Sequence, residues 1–114
     1  MRIAYIVGPY RSKDLSTQLT NINKAEQIAK EFWRKGYATI CPHMNSKLFD
    51  EVAGEEVFIK GYLEILSRLT PRDLVVVLWG YEESFGSLGE VILAETLGIP
   101  IMYLDAEGYG TLDN

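Results

Sequence analysis

Two hydrophobic periods alternate along the chain, and their alternation predicts its secondary structure. Short runs of β-branched, aromatic and aliphatic residues are typical of strands, and they alternate with longer segments whose apolar residues recur at helical spacing. The pattern predicts strands at 2–7, 37–41, 74–78 and 101–104, and helices at 21–35, 55–69 and 87–97.

The order of these elements, strand and helix in turn, predicts an α/β fold. We expect a three-layer, Rossmann- or flavodoxin-like architecture: a parallel sheet of four to five strands, flanked by helices and joined by right-handed crossovers. The continuous apolar run at 74–78 indicates a strand buried on both faces, and the expected strand order is 2-1-3-4. Residues 1–104 form the expected domain, and 105–114, which lack periodicity, are interpreted as a tail or a partner-binding segment.

Composition limits the classes of protein to which the chain is expected to belong. The 114 residues fit a single domain, and a hydrophobic share of 47% is that of a globular chain. Cys41 is the single cysteine, so we expect neither an internal disulfide framework nor a zinc cluster. No apolar run reaches the ~20 residues that span a bilayer, and no signal peptide is recognisable. A cytoplasmic enzyme or binding domain without membrane contact is therefore expected.

Charge excludes one class of partner. The 11 basic and 16 acidic residues give a net charge of −5, and the basic residues form no stripe. Duplex nucleic acid is bound by runs of Lys and Arg that neutralise phosphates, so it is not an expected partner. A small anionic ligand stays possible, because backbone dipoles bind it whatever the net charge.

Three loops follow the carboxyl ends of the predicted strands, where open α/β sheets bind their ligands. The first contains Gly8, Pro9, Tyr10 and Arg11, the second contains His43, and the third begins at Trp79 and runs into the last helix. Candidate chemistry is therefore expected in these loops.

The third loop carries the most chemistry. Ser84, Gly86 and Ser87 at a helix start offer hydroxyls, free N–H groups and a positive dipole end, all suited to an anion. Glu90 follows close to the first turn, where the dipole favours the ionised carboxylate. The alternative is structural, because Ser87 to Glu90 also has the spacing of a capping box.

The other two loops each have a functional and a structural interpretation. Tyr10 and Arg11 place a phenol and a guanidinium at the mouth of the cleft, although a Gly-Pro turn with a surface tyrosine is equally ordinary. Trp79 offers a face on which a base stacks, or forms the edge of the core. His43, the single histidine, is either a ligand contact or a structural residue.

Taken in order, these residues resemble the nucleoside 2-deoxyribosyltransferase superfamily, over residues 2–104. The resemblance is closest to its small bacterial and phage branch, and the last motif is also similar to that of the 2′-deoxynucleoside 5′-monophosphate N-glycosidases. The residues that carry it are Gly8-Pro9-Tyr10, Asn21-Ile22 with Ala25, Gly36, Pro42-His43, Asp73 and the S-x-G-x-x-x-E motif from Ser84 to Glu90.

The resemblance implies a reaction and its residues. Glu90 falls on the family's nucleophile, which attacks the anomeric carbon of a nucleoside as the base departs. Tyr10 matches the position whose hydroxyl orients that nucleophile, and Gly8 allows the backbone to approach the sugar. Ser84 matches the nucleotide hydrolases, because the transferases that act on free nucleosides commonly carry an acidic residue there.

Hydrolysis of the N-glycosidic bond of a (deoxy)nucleoside 5′-monophosphate is therefore the expected function. Base exchange by a nucleoside 2-deoxyribosyltransferase and a non-catalytic nucleotide-binding module are the alternatives. The expected binding residues are Gly8, Pro9, Arg11, His43, Trp79, Ser84, Gly86 and Ser87.

The resemblance also leaves open which residue protonates the leaving base. Glu64 is the nearest carboxylate but does not align with the family's acid. Asp73, despite matching the family, precedes a strand at the far end of the sheet and is interpreted as a structural acceptor. No cofactor or metal is expected, and a homodimer or larger homo-oligomer is.

Overall fold

A computed structural model describes residues 1–113 of the chain, with side chains to 112, and Asn114 lies outside the described residues. The elements follow in this order: β1 (Ile3–Val7), α1 (Leu15–Arg34), β2 (Ala38–Ile40), α2 (Pro42–Asn45), α3 (Glu55–Leu66), β3 (Leu74–Val77), a 3₁₀ turn (Tyr81–Glu83), α4 (Phe85–Thr96), β4 (Ile101–Leu104) and β5 (Gly110–Asp113). All four predicted strands and all three predicted helices are present.

The strands form one sheet in the order β2-β1-β3-β4-β5. The predicted order 2-1-3-4 is confirmed for the first four strands, which are parallel. The prediction of a purely parallel sheet is wrong, because β5 pairs antiparallel with β4 and places Leu112 opposite Met102. A tight turn allows this pairing, since the Asp105 carboxylate accepts hydrogen bonds from the backbone N–H groups of Glu107 and Tyr109. Part of the segment interpreted as a tail is thus an edge strand.

Each face of the sheet is covered by helices, because the strands present apolar side chains to both sides. Ile6 and Val76 pack with Ala25 and Phe32 of α1 on one face. On the other face, residues of β1, β3 and β4 pack with the carboxyl end of α3 and with α4. The buried residues of the core on this face are Tyr5, Val7, Leu66, Leu69, Val75, Val77, Val91, Ala94, Ile99 and Ile101. The run at 74–78 is buried throughout, as predicted.

The longest helix begins earlier than its hydrophobic pattern predicts. α1 starts at Leu15 rather than at residue 21, and the Asp14 carboxylate caps it by accepting from the Ser16 N–H at 3.1 Å. Leu15 and Leu19 are exposed, so the first turns carry no apolar stripe facing the core. Capping, rather than burial, sets where this helix begins.

Asp73 is a structural acceptor, as interpreted from the sequence. One of its carboxylate oxygens accepts from the Ile3 N–H at 3.0 Å, and the other accepts from the N–H and the hydroxyl of Thr70 at 2.8 and 3.1 Å. These bonds tie the start of β1 to the turn before β3 and hold the pKa of Asp73 below its usual range. Within residues 1–113, no helix has the length and apolarity needed to cross a membrane.

Candidate active site

A cavity of about 110 Å³, partly open to solvent, lies at the carboxyl ends of the parallel strands. This is the edge where the sequence placed the three loops, beside the point at which the chain reverses its direction of winding between β1 and β3. The lining residues are Ile6, Gly8, Tyr10, Arg11, Pro42, His43, Ser46, Asp50, Glu55, Phe58, Ile59, Tyr62, Ser84, Gly86, Ser87 and Glu90.

Glu90 and Tyr5 form a hydrogen-bonded pair at this cavity. Glu90 is the sixth residue of α4, and Tyr5 lies in the middle of β1, fully buried on the face that α4 covers. The Tyr5 hydroxyl donates to Glu90 Oε2 and lies 3.4 Å from the carbonyl oxygen of Tyr62. The rigid strand therefore holds one carboxylate oxygen of Glu90 in place.

Burial raises the pKa of Glu90 to about 7, while the hydrogen bond from Tyr5 opposes this rise. The sequence predicted a carboxylate kept ionised by the helix dipole. That dipole acts mainly within the first turn, and Glu90 lies beyond it, so loss of hydration dominates. With this pKa the carboxyl is about half ionised at pH 7, and it becomes a full carboxylate only at higher pH.

Tyr10 has a different partner from the one expected. The family resemblance assigned it to orient Glu90, but its hydroxyl accepts a hydrogen bond from the Leu48 N–H at 2.9 Å. Its ring meets the His43 ring edge-on, with centroids 5.7 Å apart. Tyr10 thus lines the cavity and anchors the loop after α2, and the phenol that contacts Glu90 is Tyr5.

Ser84 is the N-cap residue that precedes α4, and its side chain accepts a hydrogen bond from the Ser87 N–H at 3.3 Å. The capping-box interpretation of Ser87 and Glu90 is therefore wrong, because the cap lies three residues earlier and Glu90 faces Tyr5. The N–H groups of Phe85 and Gly86 donate to none of the described residues. This helix start accordingly retains free donors and a positive dipole end beside the cavity.

Two buried polar side chains at the cavity each keep an atom without a hydrogen-bond partner among the described residues. Ser87 is 2% exposed and its Oγ is unpaired, and His43 is 3% exposed and its Nδ1 is unpaired. Nε2 of His43 lies 3.0 Å from the carbonyl oxygen of Pro9, so that nitrogen donates. Burial lowers the pKa of His43, so the ring is neutral and Nδ1 is an acceptor.

The cavity also contains an ion-pair group that the sequence did not reveal. Arg11 Nη1 lies 3.1 Å from Asp50 Oδ1, and its Nε lies 3.7 Å from Glu55 Oε1. Asp50 accepts a further bond from Gln18 Nε2 at 3.2 Å. Arg11 was predicted to contact an anionic ligand, but here two carboxylates already neutralise its charge.

Gly8 lines the cavity, but the structure gives its small size a different reason from the one expected. A Cβ at Gly8 would lie 2.8 and 2.9 Å from side-chain atoms of Leu78. Close packing of β1 on the end of β3 therefore requires glycine here.

Two predicted binding residues do not line the cavity. Pro9 contributes its carbonyl to His43 and does not reach the cavity itself. Trp79 packs against the core on the α1 face, where the Lys24 ammonium lies 4.5 Å from its ring centroid. The alternative interpretation of Trp79, an edge of the core, is thus the one that the structure supports.

Glu64, considered from the sequence as a proton donor, lies outside the cavity. It is exposed and pairs with Arg68 at 3.2 Å on the surface of α3. The part of the cavity wall that α3 forms consists instead of Phe58, Ile59 and Tyr62. The Tyr62 hydroxyl lies 2.7 Å from Ser46 Oγ. In the sequence, only the helical spacing of apolar residues between 55 and 62 indicated that this segment could form a wall of the cavity.

No protein-family model matches the chain, and no curated protein matches it at a significant level. Among the described residues, no group of three or more His, Cys, Asp or Glu side chains converges to hold a metal ion.

Proposed function

We propose that the protein cleaves the N-glycosidic bond of a nucleoside 5′-monophosphate, with Glu90 as the nucleophile. The observation that carries this proposal is the position of the Glu90 carboxyl, which accepts a hydrogen bond from Tyr5 and lines the cavity. The same cavity reaches the amino end of α4, where backbone N–H groups have no partner among the described residues. A nucleophilic carboxylate and an anion site on one helix suit a substrate that has an anomeric carbon and a phosphate.

The spacing along α4 supports this substrate. Ser84 and Glu90 are six residues apart, a rise of ~9 Å, and helical side chains lean toward the amino end, which brings the carboxyl closer to Ser84. A 5′-phosphate at the helix start meets the Ser84 hydroxyl, the N–H groups of Phe85 and Gly86 and the positive dipole end. The sugar of the same molecule then lies over Glu90.

The proposed reaction has two steps. One oxygen of the Glu90 carboxylate attacks C1′, the bond from C1′ to the base nitrogen breaks, and its electron pair leaves with the base, which takes a proton from water. A second water then attacks C1′, the ester bond to Glu90 breaks, and the water proton is released as the sugar 5-phosphate forms. Both transition states resemble an oxocarbenium ion, which the nearby carboxylate stabilises.

The second candidate is base exchange on a free nucleoside. It is favoured by Asp50 and Glu55, which line the cavity and neutralise Arg11. Carboxylates repel a phosphate, whereas they accept a hydrogen bond from an uncharged 5′-hydroxyl. A nucleoside 2-deoxyribosyltransferase would transfer the sugar from the Glu90 ester to a second base in place of water.

The test is release of free base, followed by chromatography, from the common ribo- and deoxyribonucleosides and their 5′-monophosphates. We expect hydrolysis to be fastest with a monophosphate and to be lost in Glu90→Gln. Glu95→Gln is the matched control, because Glu95 is an exposed glutamate on the same helix. Parallel reactions with a second free base detect exchange, the outcome that favours the second candidate.

The negative results are equally specific. Base release that persists in Glu90→Gln and in Glu90→Ala would refute the assignment of the nucleophile. Nucleotide binding without base release by the wild-type protein would indicate a non-catalytic binding module.

A further inference from the structure

Ser87 is a buried hydroxyl that the fold itself does not use. It lies in the first turn of α4, and its Oγ has no hydrogen-bond partner among residues 1–113. Its backbone N–H is already satisfied by Ser84, so the hydroxyl has no part in capping the helix. An unpaired buried hydroxyl destabilises a folded protein unless a ligand binds it.

The position of Ser87 on α4 indicates what binds it. Ser87 and Glu90 are three residues apart, so their side chains share a helix face, and both line the cavity. Ser87 lies between Ser84, where the proposed function places the phosphate, and Glu90, which the same proposal places beneath C1′. A ligand group that contacts Ser87 therefore lies between the phosphate arm and the anomeric carbon.

Sugar stereochemistry then identifies one group. The base of a β-nucleoside leaves from one face of the furanose, so Glu90 attacks from the opposite face, which also carries the 2′- and 3′-hydroxyls. C3′ is bonded to C4′, the carbon that bears the phosphate arm, whereas C2′ is bonded to C1′ and lies beside Glu90. The hydroxyl on the attacked face nearest the arm is thus the 3′-hydroxyl.

We propose that Ser87 binds the 3′-hydroxyl of the substrate sugar, through a rotation of its side chain toward the cavity. This inference rests on the proposed function and names a specificity determinant of the same site. A substrate that lacks the 3′-hydroxyl leaves Ser87 unpaired in the complex, and sites built to bind a hydroxyl discriminate strongly against analogues without it.

The experiment compares 2′-deoxynucleoside 5′-monophosphates with the matching 2′,3′-dideoxy compounds, using whichever common base is released fastest. We expect wild-type kcat/KM to be at least ~10-fold higher for the compound with the 3′-hydroxyl. In Ser87→Ala this ratio falls toward one, while the ratio between ribonucleotide and 2′-deoxynucleotide stays the same. Ser16→Ala, at an exposed serine on α1, keeps the wild-type ratios.

Thermal unfolding separates this role from a structural one. Because the Ser87 hydroxyl has no partner in the fold, Ser87→Ala is expected to unfold at the wild-type temperature or above it. If that variant fails to fold, Ser87→Cys preserves the shape with a weak donor and is expected to lower the 3′-hydroxyl ratio.

An unchanged 3′-hydroxyl ratio in a folded variant would overturn the inference, as would a loss of discrimination at the 2′-position instead. These results leave base release intact, so they differ from failure of the proposed function. If the wild-type protein releases no base from any nucleotide, both proposals fail together.

Discussion

Tyr5→Phe tests the link between the pKa of Glu90 and the proposed reaction. The substitution removes the hydroxyl that donates to Glu90 and keeps the buried ring. A hydrogen bond to a charged group contributes ~1.5–3 kcal/mol, equivalent to ~1–2 pH units. Because the bond favours the carboxylate, its loss raises the pKa of Glu90 above its wild-type value of about 7.

In the proposed reaction Glu90 must be ionised, so the wild-type rate of base release is expected to rise with pH and level off above about pH 7. In Tyr5→Phe the rising limb moves upward by ~1–2 pH units, which lowers the rate at pH 7 by roughly 5- to 50-fold. At high pH the rates of the two proteins are expected to converge, because Glu90 is then ionised in both.

The assay is kcat/KM for base release between pH 5 and pH 10, with Tyr37→Phe as the control. Tyr37 packs against Phe32 on the opposite face of the sheet, so its phenol does not reach Glu90. A Tyr5→Phe profile that is lower at every pH, with its limb unmoved, would refute the argument. Tyr5 would then act through packing and not through the charge of Glu90.

Three further substitutions probe the energetics of the site. Glu90→Gln should leave unfolding unchanged near pH 4 and stabilise the protein by ~3 kcal/mol above pH 7, as measured by denaturant titration. The sign follows from the raised pKa of about 7: the wild-type protein loses stability as the pH rises from 4.5, where Glu90 ionises in the unfolded chain, to 7, where it ionises in the folded protein. An equal difference in unfolding free energy between the two proteins at both pH values would contradict this prediction. Ser84→Asp should raise KM for 5′-monophosphates much more than for nucleosides, and an equal effect on both would argue against a phosphate at the start of α4. Gly8→Ala should lower the melting temperature, because its Cβ collides with Leu78 at 2.8 Å; unaltered melting would show that β1 shifts freely.

The strands and helices that the sequence predicted are those whose own side chains are buried, because burial leaves a hydrophobic pattern in the sequence. The run at 74–78 has no polar position, so only a strand covered on both faces accommodates it. β5 has no such signal, because only Leu112 is apolar in it and that side chain is half exposed. It is a strand because the turn at Asp105 returns the chain to β4, which is a tertiary cause.

The site was predictable in position and only partly in its contacts. Parallel strands bring their carboxyl ends to one edge, so Gly8, His43 and Ser84 could be placed together from the order of elements alone. Which phenol reaches Glu90 depends on how α4 lies across β1, and a sequence pattern does not contain that information. In the sequence Tyr5 is an ordinary strand residue, whereas Tyr10 was predicted to orient Glu90 because it matches the family position of the orienting hydroxyl.

The electrostatics were the least predictable part. Arg11 in isolation suggests an anion site, and only the fold shows that Asp50, 39 residues along the chain, neutralises it. The pKa of Glu90 likewise depends on packing that removes water from the carboxyl, and this outweighs the helix dipole. Charges interact through space, so their partners follow from tertiary structure and not from neighbouring residues.

Mass spectrometry of the protein mixed with a 2′-fluoro-2′-deoxyarabinonucleoside 5′-monophosphate tests the central claim most directly. The fluorine slows breakdown of the sugar ester by destabilising the oxocarbenium-like transition state, so the intermediate accumulates. We predict a mass increase of one fluorinated sugar phosphate on the peptide that contains Glu90, and none in Glu90→Gln. Base release without any adduct, or an adduct on a different residue, would contradict the account.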